Sequence, residues 1–228
     1  KYFEIESVEE RMKYYENTIK RNQQKLKYLA NIELAIAFAD KNEDIHSVYT
    51  ANKKKLLDII RLDKNNEYIK KLVKGKDVEE WELKLFRAAK KIRDTYNPIH
   101  WELDFPNVFI DRGGFDAVVG NPPYFNIQTL GVQSRIAQNI QRSYPEIWMD
   151  KSDIIFYFIA KAISISRNKI SFIVSNAFLF SDKAERLRNH ILDNAPITKI
   201  INFEKYLVFE DASITTAIVE FEKDSKTN

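Results

Sequence analysis

The sequence predicts an α/β fold, in which a layered sheet with flanking helices is preceded by an all-helical segment. Residues 1–97 contain one glycine and no proline, whereas the rest of the chain holds the other four glycines and all six prolines. This shift in composition predicts a boundary near Asn97-Pro98. Beyond it, apolar runs of strand length alternate with helical patterns, as in layered α/β sheets. We therefore expect two domains, residues 1–97 and residues 98–228.

The composition is typical of a folded protein that lacks cysteine chemistry. The chain has 228 residues, of which 44% are hydrophobic and 13% aromatic, which is enough to fill a core. The absence of cysteine excludes disulfides, iron–sulfur clusters and cysteine-based zinc sites, and it agrees with a reducing cytoplasm. The N-terminus has no apolar run of signal-peptide or membrane-spanning length. We expect a cytoplasmic protein with no metal and no membrane partner.

The first domain is predicted to be a helical hairpin or small bundle. Ser7 and Glu10 form a capping-box pattern ahead of a long amphipathic helix. The apolar seam of that helix recurs at threes, fours or sevens: Met12, Tyr15, Ile19, Leu26, Leu29 and Ile36. Two further helical runs follow and end at Gly75, and a fourth helix is predicted from an Asp77 cap to Tyr96.

The second domain is predicted to alternate strands and helices. Residues 125–151 are polar and mixed, which favours a long loop. A helix is expected over residues 153–166 with Ser152 as its cap. After it we expect a buried strand over residues 170–175, a helix over 181–192, and strands over 197–203 and 212–221.

The stretch on which the chemistry depends is Phe115-Asp116-Ala117-Val118-Val119-Gly120-Asn121-Pro122-Pro123-Tyr124. An apolar run, introduced by a Gly113-Gly114 turn, stops at a polar residue followed by two prolines. This pattern predicts a buried parallel strand that ends in a rigid loop. Ligands of open α/β sheets bind at the carboxyl ends of such strands, so a site is expected here. A proline-stiffened turn with an aromatic plug is the structural alternative.

The tetrapeptide Asn121-Pro122-Pro123-Tyr124 resembles the catalytic motif of DNA adenine-N6 methyltransferases. The block over residues 100–109, with Gly113-Gly114-Phe115-Asp116 after it, resembles the version in type IIG restriction-modification enzymes and related phage-defence methylases. The resemblance covers about residues 98–222. It implies that the second domain is the catalytic part of a Rossmann-like sheet that uses S-adenosylmethionine.

The resemblance implies a role for each residue around the target base. The Asn121 side-chain oxygen and the Pro122 carbonyl would accept the two N–H groups of an adenine and stabilise the positive charge that develops on its nitrogen. Proline fixes the direction of that carbonyl. Tyr124 would stack on a base flipped out of the duplex, and Phe209 would pack on the opposite side of that base.

The cofactor site is expected to be incomplete in this chain. The resemblance implies that Pro123, Asp153 and Phe158 contact S-adenosylmethionine, with the Phe158 ring on its adenine. For Phe158, as for Phe209, core packing is the alternative. The sequence has no Phe-x-Gly-x-Gly pattern and no pair of strands ahead of residue 98. We therefore expect a fragment of a longer polypeptide, whose other parts supply the cofactor-binding strands and possible nuclease and target-recognition domains.

Charged residues of the helical half suggest two further roles. Asp77, Glu82 and Lys84 resemble the acidic-acidic-lysine set of restriction nucleases, but their spacing falls on a helical pattern, which argues against a nuclease. Lysines at 53–55 and at 70, 71, 74 and 76 could contact phosphates, although solvated helix faces have the same composition. The net charge of +3 is compatible with DNA and too small to indicate it.

The sequence thus predicts site-specific adenine-N6 methylation of double-stranded DNA by the parent protein, in a bacterial or archaeal cytoplasm. Two alternatives remain open. One is a non-catalytic DNA-binding or scaffold piece of a restriction or defence complex, and the other is a protein-glutamine methyltransferase, which uses a similar tetrapeptide.

Overall fold

The chain forms two compact units, Lys1–Asp104 and Phe105–Asn228, each with its own hydrophobic core. The computed structural model describes residues 7–39, 44–65, 67–131, 134–204, 206, 208 and 215–223. The change in glycine and proline content at Asn97-Pro98 lies shortly before the division. One unit is helical and the other contains a sheet with helices, so the predicted α/β class is confirmed.

Every regular element of the first unit's described residues is a helix. They are α1 (Val8–Tyr14), a π-helical stretch (Tyr15–Ile19), α2 (Lys20–Phe38), α3 (Ile45–Leu62), α4 (Glu67–Lys74), α5 (Glu80–Tyr96) and α6 (Trp101–Asp104). Helices α2 and α5 form the most extensive packing of this unit. Ile32, Leu56, Leu72 and Leu85, from four different helices, are completely or almost completely buried at its centre.

The predicted seam of the first helix is only partly correct, because Leu29 and Ile36 pack against the core of this unit and other members do not. Met12 and Leu26 are exposed, and α2 instead buries a face that includes Tyr28, Ile32 and Ala35. The π-helical stretch explains the difference, because each π-bulge adds a residue to a turn and rotates every later side chain about the helix axis. A pattern read at constant helical period cannot detect that rotation.

The cap of α5 is also different from the prediction. Glu79, not Asp77, is the N-cap, and it forms a reciprocal capping box with Glu82, whose Oε2 accepts from the Glu79 N–H at 2.6 Å. Asp77 instead has a positive φ of 56°. The Glu82 side chain is buried and satisfies a backbone donor, so it has a structural role that a nuclease carboxylate would not have.

The described residues of the second unit form a four-stranded sheet with helices. Its elements are α7 (Pro106–Arg112), β1 (Phe115–Gly120), a 3-10 turn (Ile127–Leu130), α8 (Arg135–Ser143), α9 (Ile155–Ile165), β2 (Ser166–Ser175), α10 (Ala177–Phe180), a 3-10 turn (Asp182–Ala184), α11 (Glu185–Asn194), β3 (Ile197–Asn202) and β4 (Thr216–Glu222). The strand order is β1-β2-β4-β3. Strands β1 and β2 are parallel, and β4 runs antiparallel to both of its neighbours.

The sheet and α9 share one core. Helix α9 packs on β2, and Ile159, Val174, Leu187 and Phe221 are completely or almost completely buried between the helices and the sheet. The predicted turn before β1 is present, and Gly114 is required there. A Cβ on Gly114 would lie 2.8 Å from the carbonyl oxygen of Ile165, at the end of α9.

Strand β1 is parallel, as predicted, but the prediction that it is buried is wrong. Among the described residues it pairs with β2 alone, and it forms an edge of the sheet. Val119 is 78% exposed for this reason. Val118, on the other face of the strand, packs against the core. A continuous apolar run indicates a strand that is covered on both of its faces. It does not show which neighbouring elements provide that cover.

The described residues contain no helix that is both long enough and apolar enough to span a membrane. Within the same ranges, no cluster of three or more histidine, aspartate or glutamate side chains is arranged to hold a metal ion.

Candidate active site

The predicted catalytic loop leaves the sheet at the carboxyl end of β1. Gly120, the last residue of the strand, pairs with Phe172 of β2, and residues 121–124 follow directly. Asn121 is exposed, Pro122 is buried and Tyr124 is half-buried. The Tyr124 hydroxyl donates to the backbone carbonyl of Ile173 at 3.1 Å. The polar end of the loop is therefore open to a ligand, while its aromatic end is fixed to β2.

The residues after the tetrapeptide pair with the segment that leads into α9. The Ile154 N–H donates to the Phe125 carbonyl at 3.0 Å, and the Ile127 N–H donates to the Ser152 carbonyl at 2.9 Å. Between these bonds, Asn126 and Asp153 form an isolated antiparallel bridge. This short ladder holds the predicted catalytic loop against the start of α9, and so it brings two of the predicted site segments together.

Asn126 is a positioning residue that the sequence reasoning missed. Its side-chain nitrogen donates to the Lys151 carbonyl at 2.6 Å, and its side-chain oxygen accepts from the Gln128 N–H at 2.9 Å. The second bond is an Asx-type turn, which is a local signal that asparagine followed by a turn can give. The first bond joins residues 25 positions apart, and no local pattern predicts it.

Asp153 lies at the start of α9, where its side chain makes a local contact with the helix. Its Oδ1 accepts from the Ile155 N–H at 3.0 Å, so Asp153 caps the helix. Ser152, the predicted cap, is buried and shares a 2.7 Å hydrogen bond with the Tyr157 hydroxyl. The aspartate can reach the free N–H groups of the first turn, whereas the serine side chain is held in the core.

Burial dominates the electrostatics of this region. It raises the pKa of the Asp153 carboxyl above its ordinary value, and the hydrogen bond from Ile155 opposes that rise. Burial also raises the pKa of the Tyr124 hydroxyl, and the charge of Asp153 raises it further. The two side chains are therefore electrostatically coupled, and Tyr124 stays a neutral donor at physiological pH.

A cavity of about 230 Å³ opens beside this ladder, between the start of α9 and the segment after β2. Its apolar walls include Ile155, Phe156 and Phe178, and its polar groups include Asn126, Lys151, Ser152, Asp153, Ser175, Ser181 and Lys183. Apolar walls with a few convergent polar groups are typical of small-molecule and nucleotide sites. Two of these serines, Ser175 at the end of β2 and Ser181 after it, were not among the predicted site residues.

The remaining predicted site residues are less closely connected. Phe158, on α9, is 43% exposed. Its ring is therefore not packed in the core, which was the alternative to a ligand contact. Pro123 is exposed. Phe209 lies outside the described residues. The structure thus brings Tyr124 and Asp153 together and leaves the exposed ring of Phe158 available to a ligand.

The side chains predicted to contact S-adenosylmethionine include groups that suit its adenine end. An exposed aromatic ring at Phe158 suits a purine, and the exposed amide of Asn121 lies at the strand end where a reacting group would be held. The glycine-rich turn and acidic residue that usually hold the ribose and amino-acid ends of such a nucleotide have no counterpart in the sequence. The residues of this chain therefore suit the adenine end of the group and the place of reaction.

The fold is that of an α/β protein with a polar, proline-stiffened loop at the carboxyl end of a parallel strand, the place where open α/β sheets usually bind ligands. The family model of the Eco57I restriction-modification methylase matches residues 2–209. The chain belongs to this family. The predicted resemblance to restriction-modification methylases is thereby confirmed.

Relatives of the chain are considerably longer. It is 25% identical over 116 residues to the type II restriction enzyme and methyltransferase RM.Eco57I of Escherichia coli, which covers 50% of this chain and 12% of that protein. It is 26% identical over 115 residues to the type II methyltransferase M.HincII of Haemophilus influenzae, covering 50% of this chain and 23% of that protein. The chain also resembles a solved structure from Listeria monocytogenes, provisionally assigned as a class I S-adenosylmethionine-dependent methyltransferase. The match covers 64% of this chain and 43% of that protein chain, with a TM-score of 0.41 and 15% sequence identity.

Proposed function

We propose that this chain is the catalytic part of a DNA adenine-N6 methyltransferase of a restriction-modification or phage-defence enzyme of the type IIG kind. The observation that carries the proposal is the arrangement of residues 121–124. The loop follows a parallel strand of a family methylase, exposes Asn121 and is fixed by the Tyr124 bond to Ile173. Both relatives named above are type II methyltransferases by name, which supports DNA as the substrate.

The chemistry required of the loop is hydrogen-bond acceptance. An adenine amino nitrogen is a poor nucleophile because its lone pair is delocalised into the ring. Two neutral acceptors, the Asn121 side-chain oxygen and the Pro122 carbonyl, would bind its two N–H groups and favour the pyramidal nitrogen of the transition state. A neutral amide suits this task, since asparagine cannot ionise. S-adenosylmethionine would supply an electrophilic methyl group when bound.

The anchored half of the loop would present the base. Tyr124 has its hydroxyl committed to Ile173, so one ring orientation is selected before DNA binds. A fixed aromatic face can stack on an unpaired base with ~1–3 kcal/mol of binding free energy. Proline at 122 and 123 removes two backbone N–H groups that would compete for the same acceptors. Phe209 on the opposite side of the base completes the proposed sandwich.

The test is Asn121→Ala in the protein encoded by the complete open reading frame, with labelled S-adenosylmethionine and duplex DNA. We expect turnover to fall ~100-fold or more, because a transition-state acceptor is lost, while DNA affinity changes little. Gln128→Ala is the matched control, because Gln128 is exposed and its hydrogen bonds to Asn126 and Gly131 use only its backbone atoms. Nucleoside analysis of the product should show N6-methyladenine. Unchanged turnover in Asn121→Ala would contradict the proposal and favour a scaffold role, and label in protein rather than DNA would favour glutamine methylation.

A further inference from the structure

A groove between α2 and α4 of the helical unit collects positive charge. Four of its lining side chains are cations: Lys20 and Arg21 from α2, and Lys70 and Lys74 from α4. Glu16 is the single acidic residue among the described residues that line it, and the groove has a volume of about 420 Å³. The lining thus has three more positive than negative charges, which equals the formal net charge of the whole chain, +3. The formal charges of the remaining residues sum to zero.

Most of this charge remains available to a partner. Lys20 pairs with Glu16 at 2.9 Å, and Lys70 approaches Glu67 at 3.8 Å. In both pairs the lysine and the glutamate side chains are exposed. Exposed pairs of this kind are weak, and a bound anion can compete for the cation. Arg21 and Lys74 have no acidic partner within 4.0 Å in the part of the chain that the structure describes.

A neighbouring cavity differs from the groove in the pairing of its cations. That cavity, of about 410 Å³, shares Gln24 with the groove. Its lysine and its arginine both have acidic partners, because Lys27 pairs with Asp104 and Arg93 pairs with Asp94. In the groove, by contrast, two of the four cations have no such partner among the described residues.

The geometry of the cations suits a repeating polyanion. Lys70 and Lys74 lie four residues apart on α4, which separates them by about 6 Å along the helix axis. Two successive phosphate steps on one DNA strand advance by about 7 Å along the duplex axis. Ile69 and the exposed side chain of Val73 form an apolar wall beside the cations, and low-dielectric walls strengthen the field within a cleft.

We infer that this groove contacts the phosphate backbone of duplex DNA away from the target base. The inference rests on the proposed function, because it takes DNA as the partner. Family membership favours DNA over an acidic protein or an anionic membrane. Such contacts set the position of the protein on DNA and contribute affinity without reading sequence.

The test measures affinity for a random-sequence duplex by fluorescence anisotropy at several salt concentrations. Lys70→Gln/Lys74→Gln should lower the slope of log affinity against log salt by about 2, because each phosphate contact contributes about 0.9. Lys64→Gln/Lys90→Gln, which removes the same charge from exposed lysines of the helical unit outside the groove, should leave the slope unchanged. Glu16→Gln should act in the opposite direction and raise affinity, because it removes the carboxylate of the lining.

Equal slopes for the two lysine variants would overturn the inference, as would wild-type protein whose DNA affinity does not depend on salt. The inference would also be overturned if Lys70→Gln/Lys74→Gln lowered the affinity for anionic vesicles more than it lowered the affinity for DNA. Methylation at saturating DNA and low salt should be normal in the groove variant. Measured in the protein encoded by the complete open reading frame, that readout separates the inference from the proposed function, since Asn121→Ala should lower turnover ~100-fold or more and leave the salt slope intact.

Discussion

The hydroxyl of Tyr124 donates to the backbone carbonyl of Ile173 at 3.1 Å. This bond joins the loop after β1 to strand β2, across 49 positions of sequence. It acts together with the ladder between residues 125–127 and 152–154, so the tetrapeptide is held from two sides. A loop fixed before substrate arrives loses less conformational entropy on binding, which is the physical basis of preorganisation.

The hydroxyl and the ring of Tyr124 should be separable by mutation. Tyr124→Phe keeps the stacking face but leaves the Ile173 carbonyl unpaired, so we expect a loss of about 1 kcal/mol in unfolding free energy and little loss of DNA affinity. Tyr124→Ala should weaken binding to target DNA by ~1–3 kcal/mol, and by less when the target base is mismatched. Urea denaturation and anisotropy measure the two effects. Equal losses by Tyr124→Ala on target and random DNA would mean that the ring is only structural.

Gly120 should not tolerate a side chain, because of Phe172. A Cβ on Gly120 would lie 3.1 Å from the Phe172 ring, which is buried in the core and cannot move away freely. We expect Gly120→Ala to destabilise the protein by ~1–3 kcal/mol. In the Phe172→Leu background, which shortens the opposing side chain, the same change should cost measurably less. A double-mutant cycle with denaturant melts tests this, and strict additivity would contradict the contact.

Asp153→Asn should change the pH dependence of stability. Because burial raises the pKa of Asp153, its contribution to stability is present below the ordinary aspartate pKa of 3.8 and is lost as pH rises through the raised value. An asparagine stays neutral and can still accept from the Ile155 N–H. The melting temperature of the variant should therefore match that of wild type near pH 4 and exceed it increasingly toward pH 7.

Asp150→Asn is the matched control for this experiment, because Asp150 is an exposed carboxyl three positions away. Its melting temperature should follow wild type throughout the range. An Asp153→Asn variant that is less stable than wild type at neutral pH would show that the ionised carboxylate is favoured at this position.

This chain by itself should bind S-adenosylmethionine only weakly. Its residues suit the adenine end of the molecule, through Phe158, while the glycine-rich and acidic elements for the other end have no counterpart in the sequence. Each missing hydrogen bond to a charged or hydroxyl group costs ~1–3 kcal/mol, so the dissociation constant should be millimolar or weaker. Isothermal calorimetry on the chain, compared with the product of the full open reading frame, tests this. A micromolar constant for the chain alone would reveal a binding site elsewhere in it.

The sequence by itself determined most of the element types and the place of the candidate site. The prediction of a long loop over residues 125–151 is wrong, because α8 and a 3-10 turn lie within it. The strand from Phe115 to Gly120, the Gly113-Gly114 turn and the loop at Asn121 were all predicted, because period-2 apolar runs, glycine and proline act on the backbone within a few residues. The class of the fold followed from the same local signals.

Only the tertiary structure decided how these elements meet. The π-helical stretch rotated the buried face of α2, β4 was placed between β2 and β3, and β1 became an exposed edge. The bonds from Tyr124 to Ile173 and from Asn126 to Lys151 join residues far apart in sequence. Local periodicity reports which side of an element avoids water, but the partner on that side is selected by packing across the whole unit. For that reason the position of each site residue could be predicted, and the contacts that hold it in place could not.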